Sequence, residues 1–258
     1  MEPEKYGGRE ALLSALFCAR DLGIRRWIQG GLSPEEWHFQ WDVKRIVAES
    51  APELEIIPCI GLHPWWVADP ARTETEIDRA LQILQARLNQ ARREGEEVWL
   101  GELGLDAMDK WGGSSGIQWE RQLRVFEAQL ALASTGAGAT PMALHLVGRA
   151  AHDEALKRVH PRNTTRGIVH RFSADAQTGI EWVKRGYALS IGPEVTRPGY
   201  KALKSAIRGT DPQFGSYLLP DSAFVFESDA PWVLPSGEVL GPAMVREVEK
   251  KFVITRKG

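Results

Sequence analysis

The chain has little that would suit it to an oxidising compartment, a membrane or a broad nucleic-acid surface. Two cysteines in 258 residues are too few for a disulfide framework, and Cys18 and Cys59 sit in a helix-like and a strand-like apolar run. They read as buried thiols rather than a bridge or a ligand pair. No apolar run approaches the ~18 residues a membrane helix needs, and no membrane partner is expected. The opening residues, Met1-Glu2-Pro3-Glu4-Lys5-Tyr6, lack the basic and apolar regions of a signal peptide, so a cytoplasmic location is the expectation. An excess of positive charge is missing too. With 32 Lys and Arg against 34 Asp and Glu, the net charge of −2 argues against wrapping duplex nucleic acid, which takes many phosphate contacts. It leaves room for a cleft that takes one phosphate or one strand end. The basic residues 250–257 read as a solvated helix face. No repeat, low-complexity segment or composition shift marks a linker, and residues 1–258 are expected to form one domain.

What the chain does have is a set of short apolar runs that end on chemistry. Val98-Trp99-Leu100-Gly101-Glu102-Leu103-Gly104-Leu105-Asp106 delivers a carboxylate between two glycines, as a buried strand does at the rim of a sheet. Three later runs close on His145, His170 and Asp229. Four strands ending on Glu, His, His and Asp would gather oxygen and nitrogen ligands at one end of a parallel barrel, which predicts a metal site.

The order of elements agrees. Strand-like centres at Trp27, Ile57, Leu100, Leu144, Val169, Leu189 and Val225 alternate with helix-like segments of ten residues or more, the pattern of a parallel sheet covered by helices. A closed barrel of this kind needs eight strands and ~250 residues. The chain opens on a helix near residues 8–23, and residues 1–7 are too short and polar for a strand. The expected fold class is therefore α/β, a TIM-type (β/α)8 barrel missing its first strand.

Gly61-Leu62-His63-Pro64, Gly101-Glu102-Leu103-Gly104-Leu105-Asp106, the isolated His145, His170-Arg171-Phe172-Ser173 and Glu227-Ser228-Asp229-Ala230-Pro231 occur in that order. Together they resemble the motifs of the TatD family of metal-dependent hydrolases, (β/α)8 barrels of the amidohydrolase type. The run from Glu120 to Leu130 is similar to the family helix that follows the second motif. The resemblance implies a hydrolase, and a deoxyribonuclease by substrate class, that cleaves phosphodiesters of single-stranded DNA or strand ends using water activated by one or two divalent ions per chain. Carried over position by position, Glu102, His145, His170 and Asp229 would be metal ligands. Asp229 and Glu102 would be the catalytic carboxylates, with Asp229 as general base. His63, Arg149 and Ser173 would contact substrate. Glu227 lies on the same strand face as Asp229, where it could support a ligand or serve packing. His152 and His160, on or just after a helix, read as surface residues. Trp65, Trp66, Trp111 and Trp232 follow strand ends, where they could stack on bases or pack.

The departures from the family pattern carry information. The usual first strand with H-x-H is missing, since no histidine precedes His38. That removes two ligands from one of two metal positions and leaves a carboxylate pair there, which favours Mg or Mn while leaving Zn open. Trp65 stands where many relatives have a second histidine, Arg171 replaces a cysteine and Ala174 a glycine. Two other readings remain. One is hydrolysis of a small amide, ester or lactone by the same ions. The other is a catalytically impaired incomplete barrel with a binding role, self-associating through its open strand edges.

Overall fold

The structure, a computed structural model, describes residues 6–134, 139–160, 166–211, 215–216, 219–233 and 239–257. The chain opens on helix α1 (Arg9–Asp21), then strand β1 (Arg26–Gln29), α2 (Trp37–Ser50), β2 (Glu55–Ile60), the short α3 (Pro64–Ala68) and α4 (Glu74–Glu94). It continues with β3 (Trp99–Asp106), α5 (Gly116–Ala133), β4 (Met142–Val147), α6 (Arg149–Arg158), β5 (Gly167–His170), α7 (Ala176–Lys184) and β6 (Tyr187–Ile191). After α8 (Lys201–Arg208) come the two-residue β7 (Thr210–Asp211) and β8 (Gly215–Ser216), then β9 (Phe224–Phe226), β10 (Trp232–Val233), β11 (Val239–Leu240) and α9 (Val245–Lys257). None of the described helices is long and apolar enough to cross a membrane.

Local chemistry accounts for the longer elements. The Thr73 side chain accepts from the Glu76 amide while the Glu76 carboxylate accepts from the Thr73 amide, a capping box that starts α4, and Gly95 ends it in a left-handed turn at φ 67. Strands β2 to β6 are short apolar runs with little exposed side chain, as parallel strands covered on both faces should be.

Among the described residues seven parallel strands form one sheet in the order β1-β2-β3-β4-β5-β6-β9, each beside its predecessor in that order. This is the curled wall of a TIM-type barrel with one strand missing, and the seven sequence-predicted strand centres all fall within it. Among the described residues β1 and β9 each pair with one neighbour and leave an edge free. Between these edges the interior opens as a cavity of about 400 Å³ lined by Trp27, Ile28, Ile57, Ala143, Ile168 and Val225. Ile28 and Val225 are 37% exposed as a result.

Register brings the functional ends level. Gly104 lies opposite His145, and His145 opposite His170. The β3–β4 ladder slips between Gly101 and Leu103, so Glu102 sits on an irregularity that turns its side chain out of the regular alternation. Gly104 has to be glycine, because a Cβ there would lie 1.9 Å from the His145 carbonyl oxygen.

The larger core joins the sheet to α4 through α9, and a smaller one holds α1 against α2 through Leu12, Leu16, Val43 and Val47. Three buried glutamines add polar anchors between helix and strand. Gln40 of α2 accepts from the Cys59 amide at 2.7 Å and donates to its carbonyl at 2.9 Å. Gln129 of α5 does the same with Leu62 at 2.8 and 3.1 Å, and Gln122 with Asp106 at 2.7 and 3.2 Å.

Two expectations are corrected here. Cys59 is buried, but Cys18 is exposed, because the inward stripe of α1 runs through Leu12, Leu16 and Ala19 and passes it by. His152 is buried rather than on the surface. It lies on the inner face of α6 between Ala151 and Ala155, and its Nδ1 accepts from Trp182 Nε1 at 3.1 Å. His160 is exposed as expected.

Candidate metal centre and cleft

The C-terminal ends of the strands surround a cleft of about 280 Å³ whose walls include Gln29, His63, Trp65, Glu102, His145, His170, Arg171 and Asp229. Glu102 is at its centre. The carboxylate oxygen Oε2 lies 3.6 Å from His63 Nε2, 3.7 Å from His145 Nδ1 and 3.5 Å from His170 Nε2, while Asp229 Oδ1 lies 3.6 Å from the same His170 nitrogen. These separations are at or beyond the outer limit of hydrogen bonding. They suit ligands that share an ion, since two donors each about 2.1 Å from one cation stand about 3.4 Å apart in a tetrahedron. One donor atom each from His63, Glu102 and His145 also fall within 4.8 Å of one another.

Hydrogen bonds on the far sides of the rings sort the three histidines. His145 Nε2 lies 3.2 Å from Asp106 Oδ2, and His170 Nδ1 lies 3.0 Å from Glu227 Oε2. A carboxylate can only accept, so each of those nitrogens carries a proton, and His145 Nδ1 and His170 Nε2 are the nitrogens left to face Glu102 and, once deprotonated, to meet a cation. A carboxylate behind a ligating imidazole is the usual support of a metal site. His63 is arranged the other way. Its Nδ1 accepts from the Trp65 amide at 3.1 Å, which puts the proton of the neutral ring on Nε2. His63 thus presents a donor to the cleft, while Glu102, His145 and His170, with Asp229 beside them, supply two nitrogens and carboxylate oxygens that fit a divalent cation.

The electrostatics show how strongly the centre favours positive charge. Burial works against ionisation of Glu102, but the His170 charge, with the His145 and His63 ring nitrogens facing the carboxylate, outweighs it and holds the carboxyl well below the usual range. Burial likewise opposes charge on His170, yet the Glu102 and Glu227 charges push its pKa up to about 10. A divalent ion at His170 Nε2 competes with that proton, so its affinity rises with pH. Burial, with His145 as neighbour, pushes His63 down to about 4 and keeps it neutral. Asp229 is pushed up to about 6, chiefly by burial, with the Glu102 charge adding to it and His170 opposing.

Of the residues singled out from the sequence, Glu102, His145, His170, Asp229 and His63 share the cleft. Arg149 and Ser173 do not line it. Arg149 is exposed at the start of α6, paired with Asp153 at 2.9 Å and Asp175 at 3.1 Å, and Ser173 is exposed in the turn after β5. Trp65 stacks on Trp111 with ring centres 5.4 Å apart and donates from Nε1 to Asp106 Oδ2 at 2.6 Å, which makes it part of the floor. Trp66 is half-buried beneath the Arg72 guanidinium, and the Trp232 side chain lies outside the described residues. Asp106 and Arg171 were not foreseen in the site. The sequence signal for Asp106 was that it closes the run that carries Glu102, and for Arg171 that it departs from a family cysteine.

Residues 8–257 match the family model described as TatD related DNase. A mouse protein described as putative deoxyribonuclease TATDN3 is 24% identical over 229 residues, covering 82% of this chain and 70% of that protein. The human deoxyribonuclease TATDN3 is 23% identical over 207 residues, covering 79% and 68%. The crystal structure of YJJV, a TatD homolog from Escherichia coli K12, superposes with a TM-score of 0.73 at 25% identity, over 95% of this chain and 84% of that one. A TatD family hydrolase from Entamoeba histolytica shares the fold with a TM-score of 0.68 at 14% identity, over 94% of this chain and 82% of that one. A match across nearly the whole chain, on a barrel wall whose strand ends carry this donor set, places the protein: it belongs to the TatD-related DNase family and is a metal-dependent hydrolase.

Proposed function

We propose that the chain is a deoxyribonuclease that hydrolyses phosphodiesters at the ends of single-stranded DNA, acting in the cytoplasm as one domain with Mg or Mn. The observation that carries this reading is the largely buried Glu102 carboxylate, whose Oε2 faces one nitrogen each of His63, His145 and His170 at 3.6, 3.7 and 3.5 Å. The descriptions of the mouse and human relatives as deoxyribonucleases support it.

Glu102, His145, His170 and Asp229 would hold the ion, which supplies Lewis-acid activation of water and of the phosphoryl oxygens. His63 Nε2–H donates to a phosphate oxygen, and its burial keeps it neutral and oriented. Asp229, with a carboxyl raised to about 6, takes the proton from the attacking water near neutral pH. Asp106 and Glu227 hold the two ligand imidazoles in the required tautomers. The cleft of about 280 Å³ takes a group of nucleotide size rather than the width of a duplex, which favours strand ends. Pairing of the free β1 and β9 edges with a second copy is part of the same reading.

The test is release of nucleotides from an end-labelled single-stranded oligonucleotide in Mg or Mn. Release that stops with chelator and in Glu102→Ala is expected. Release that survives either change, or its absence from folded protein loaded with Mn, overturns the reading. Turnover of small esters or lactones without DNA cleavage would reassign the substrate class.

A further inference from the structure

Immediately after His170 the backbone turns left-handed at Arg171, with φ 46. The other non-glycine residue of positive φ among those described is Asp229, at φ 53. Such backbone is strained for a side chain as large as arginine and persists where surrounding contacts hold it. Here the two strained residues hold each other, with Arg171 Nη1 lying 3.0 Å from Asp229 Oδ2. The Nη2 of the same guanidinium is bound to Glu194 Oε1, on a residue only 3% exposed. Arg171 is thus anchored from behind by a buried carboxylate while its side chain lines the cleft.

This arrangement divides Asp229 in two. Oδ1 looks toward His170 Nε2 and the imidazole-lined position, while Oδ2 is capped by a guanidinium that stays charged at any working pH. A second divalent ion would need carboxylate oxygen, and beyond the imidazoles the cleft lining offers it Asp229, the second oxygen of Glu102, which faces Gly30, and Glu36, whose Oε2 already accepts from the Leu32 amide at 2.8 Å. The Asp229 oxygen on that side already has its positive partner, and the cation would be repelled by it. We propose that Arg171 stands in the place of a second metal ion, so that the chain binds one divalent cation and the guanidinium supplies the second positive centre for a phosphate oxygen. A planar guanidinium binds phosphate well in that role. The phosphate half rests on the phosphodiesterase reading above, and the metal count does not.

The experiment counts ions and measures phosphate binding without using activity. Replacing Arg171 alone would strand Glu194 as a buried unpaired charge, so the informative variant is Arg171→Gln with Glu194→Gln, with Arg171→Lys as the charge-conserving control. Titration with Mn²⁺ should give one ion per chain for the unaltered protein and Arg171→Lys, and two for the double variant. Inorganic phosphate should bind the Mn-loaded double variant at least tenfold more weakly than the unaltered protein. Two ions in the unaltered protein, or one in a folded double variant, overturns the metal count. Phosphate affinity unchanged in the double variant overturns the second role, and it does so whether or not DNA proves to be the substrate.

Discussion

Asp106→Asn tests the tautomer argument on which the metal centre depends. Asp106 is fully buried, and its two oxygens are both in use. Oδ2 accepts from Trp65 Nε1 at 2.6 Å and from His145 Nε2 at 3.2 Å, and Oδ1 accepts from the Met108 amide at 2.9 Å. Asparagine keeps the shape but replaces one acceptor with a donor. If the amide nitrogen takes the Oδ1 place, it faces the Met108 N–H and one hydrogen bond to a charged acceptor is lost, at about 1.5–3 kcal/mol of stability. If it takes the Oδ2 place, it faces two N–H groups. His145 can then be satisfied only by moving its proton to Nδ1, the nitrogen that should meet the cation. Either way the imidazole loses the negative charge that supports its basicity, and loss of such a partner typically weakens metal affinity 10–100-fold, about 1.4–2.7 kcal/mol. Calorimetric titration of Mn²⁺ into both proteins at one pH reads this directly, with the melting temperature of the metal-free proteins reporting the stability cost. Affinity within twofold of the unaltered protein would refute the assignment of His145 as a ligand held by Asp106.

Glu227→Gln can keep the acceptor at Oε2 for His170, the Arg171 amide and Ser190 while removing a charge. The His170 pKa, pushed up to about 10 partly by Glu227, should fall in the metal-free variant, and ¹H–¹⁵N NMR titration of the imidazole checks it. An unchanged value would contradict the pairing. His152→Gln should alter the acid limb of stability. Burial pushes the folded pKa of His152 down to about 4 from an ordinary 6.5, so between those values the unfolded chain binds more protons and stability falls with falling pH. The full effect approaches roughly 3 kcal/mol below pH 4. Glutamine can still accept from Trp182 and does not titrate, so urea unfolding from pH 7 to pH 4.5 should show a shallower loss in the variant. Parallel losses would refute it.

How much of this was legible in the sequence depended on distance along the chain. Glu102, His145, His170 and Asp229 were readable because each closes a short apolar run, and a strand end is a local property. Of their supports, Glu227 could be offered from its place two residues before Asp229, whereas the bond from Asp106 to His145 exists only once the β3–β4 register places Gly104 opposite His145. Arg149 and Ser173 follow strand ends in sequence, but helix α6 turns Arg149 toward Asp153, one turn along, and toward Asp175 on the next connection. Arg171 enters the cleft through left-handed backbone that no side-chain pattern announces. The gap in the barrel wall, by contrast, was visible as a missing apolar run, because the pattern shows seven strand-like runs where a closed barrel of this kind needs eight.

The buried glutamines of α2 and α5 bear on how the cleft keeps its dimensions. Apolar packing alone lets a helix creep along a sheet in small steps, whereas a primary amide matched to both groups of one peptide works as a keyed joint. Displacement by a fraction of a turn would leave a donor and an acceptor unpaired in the dry interior. The joints at Leu62 and Asp106 adjoin or support cleft residues, His63 following the first and the Asp106 of the second holding His145. The outer faces of these helices can therefore drift widely in sequence while the inner ends of the strands stay indexed to them.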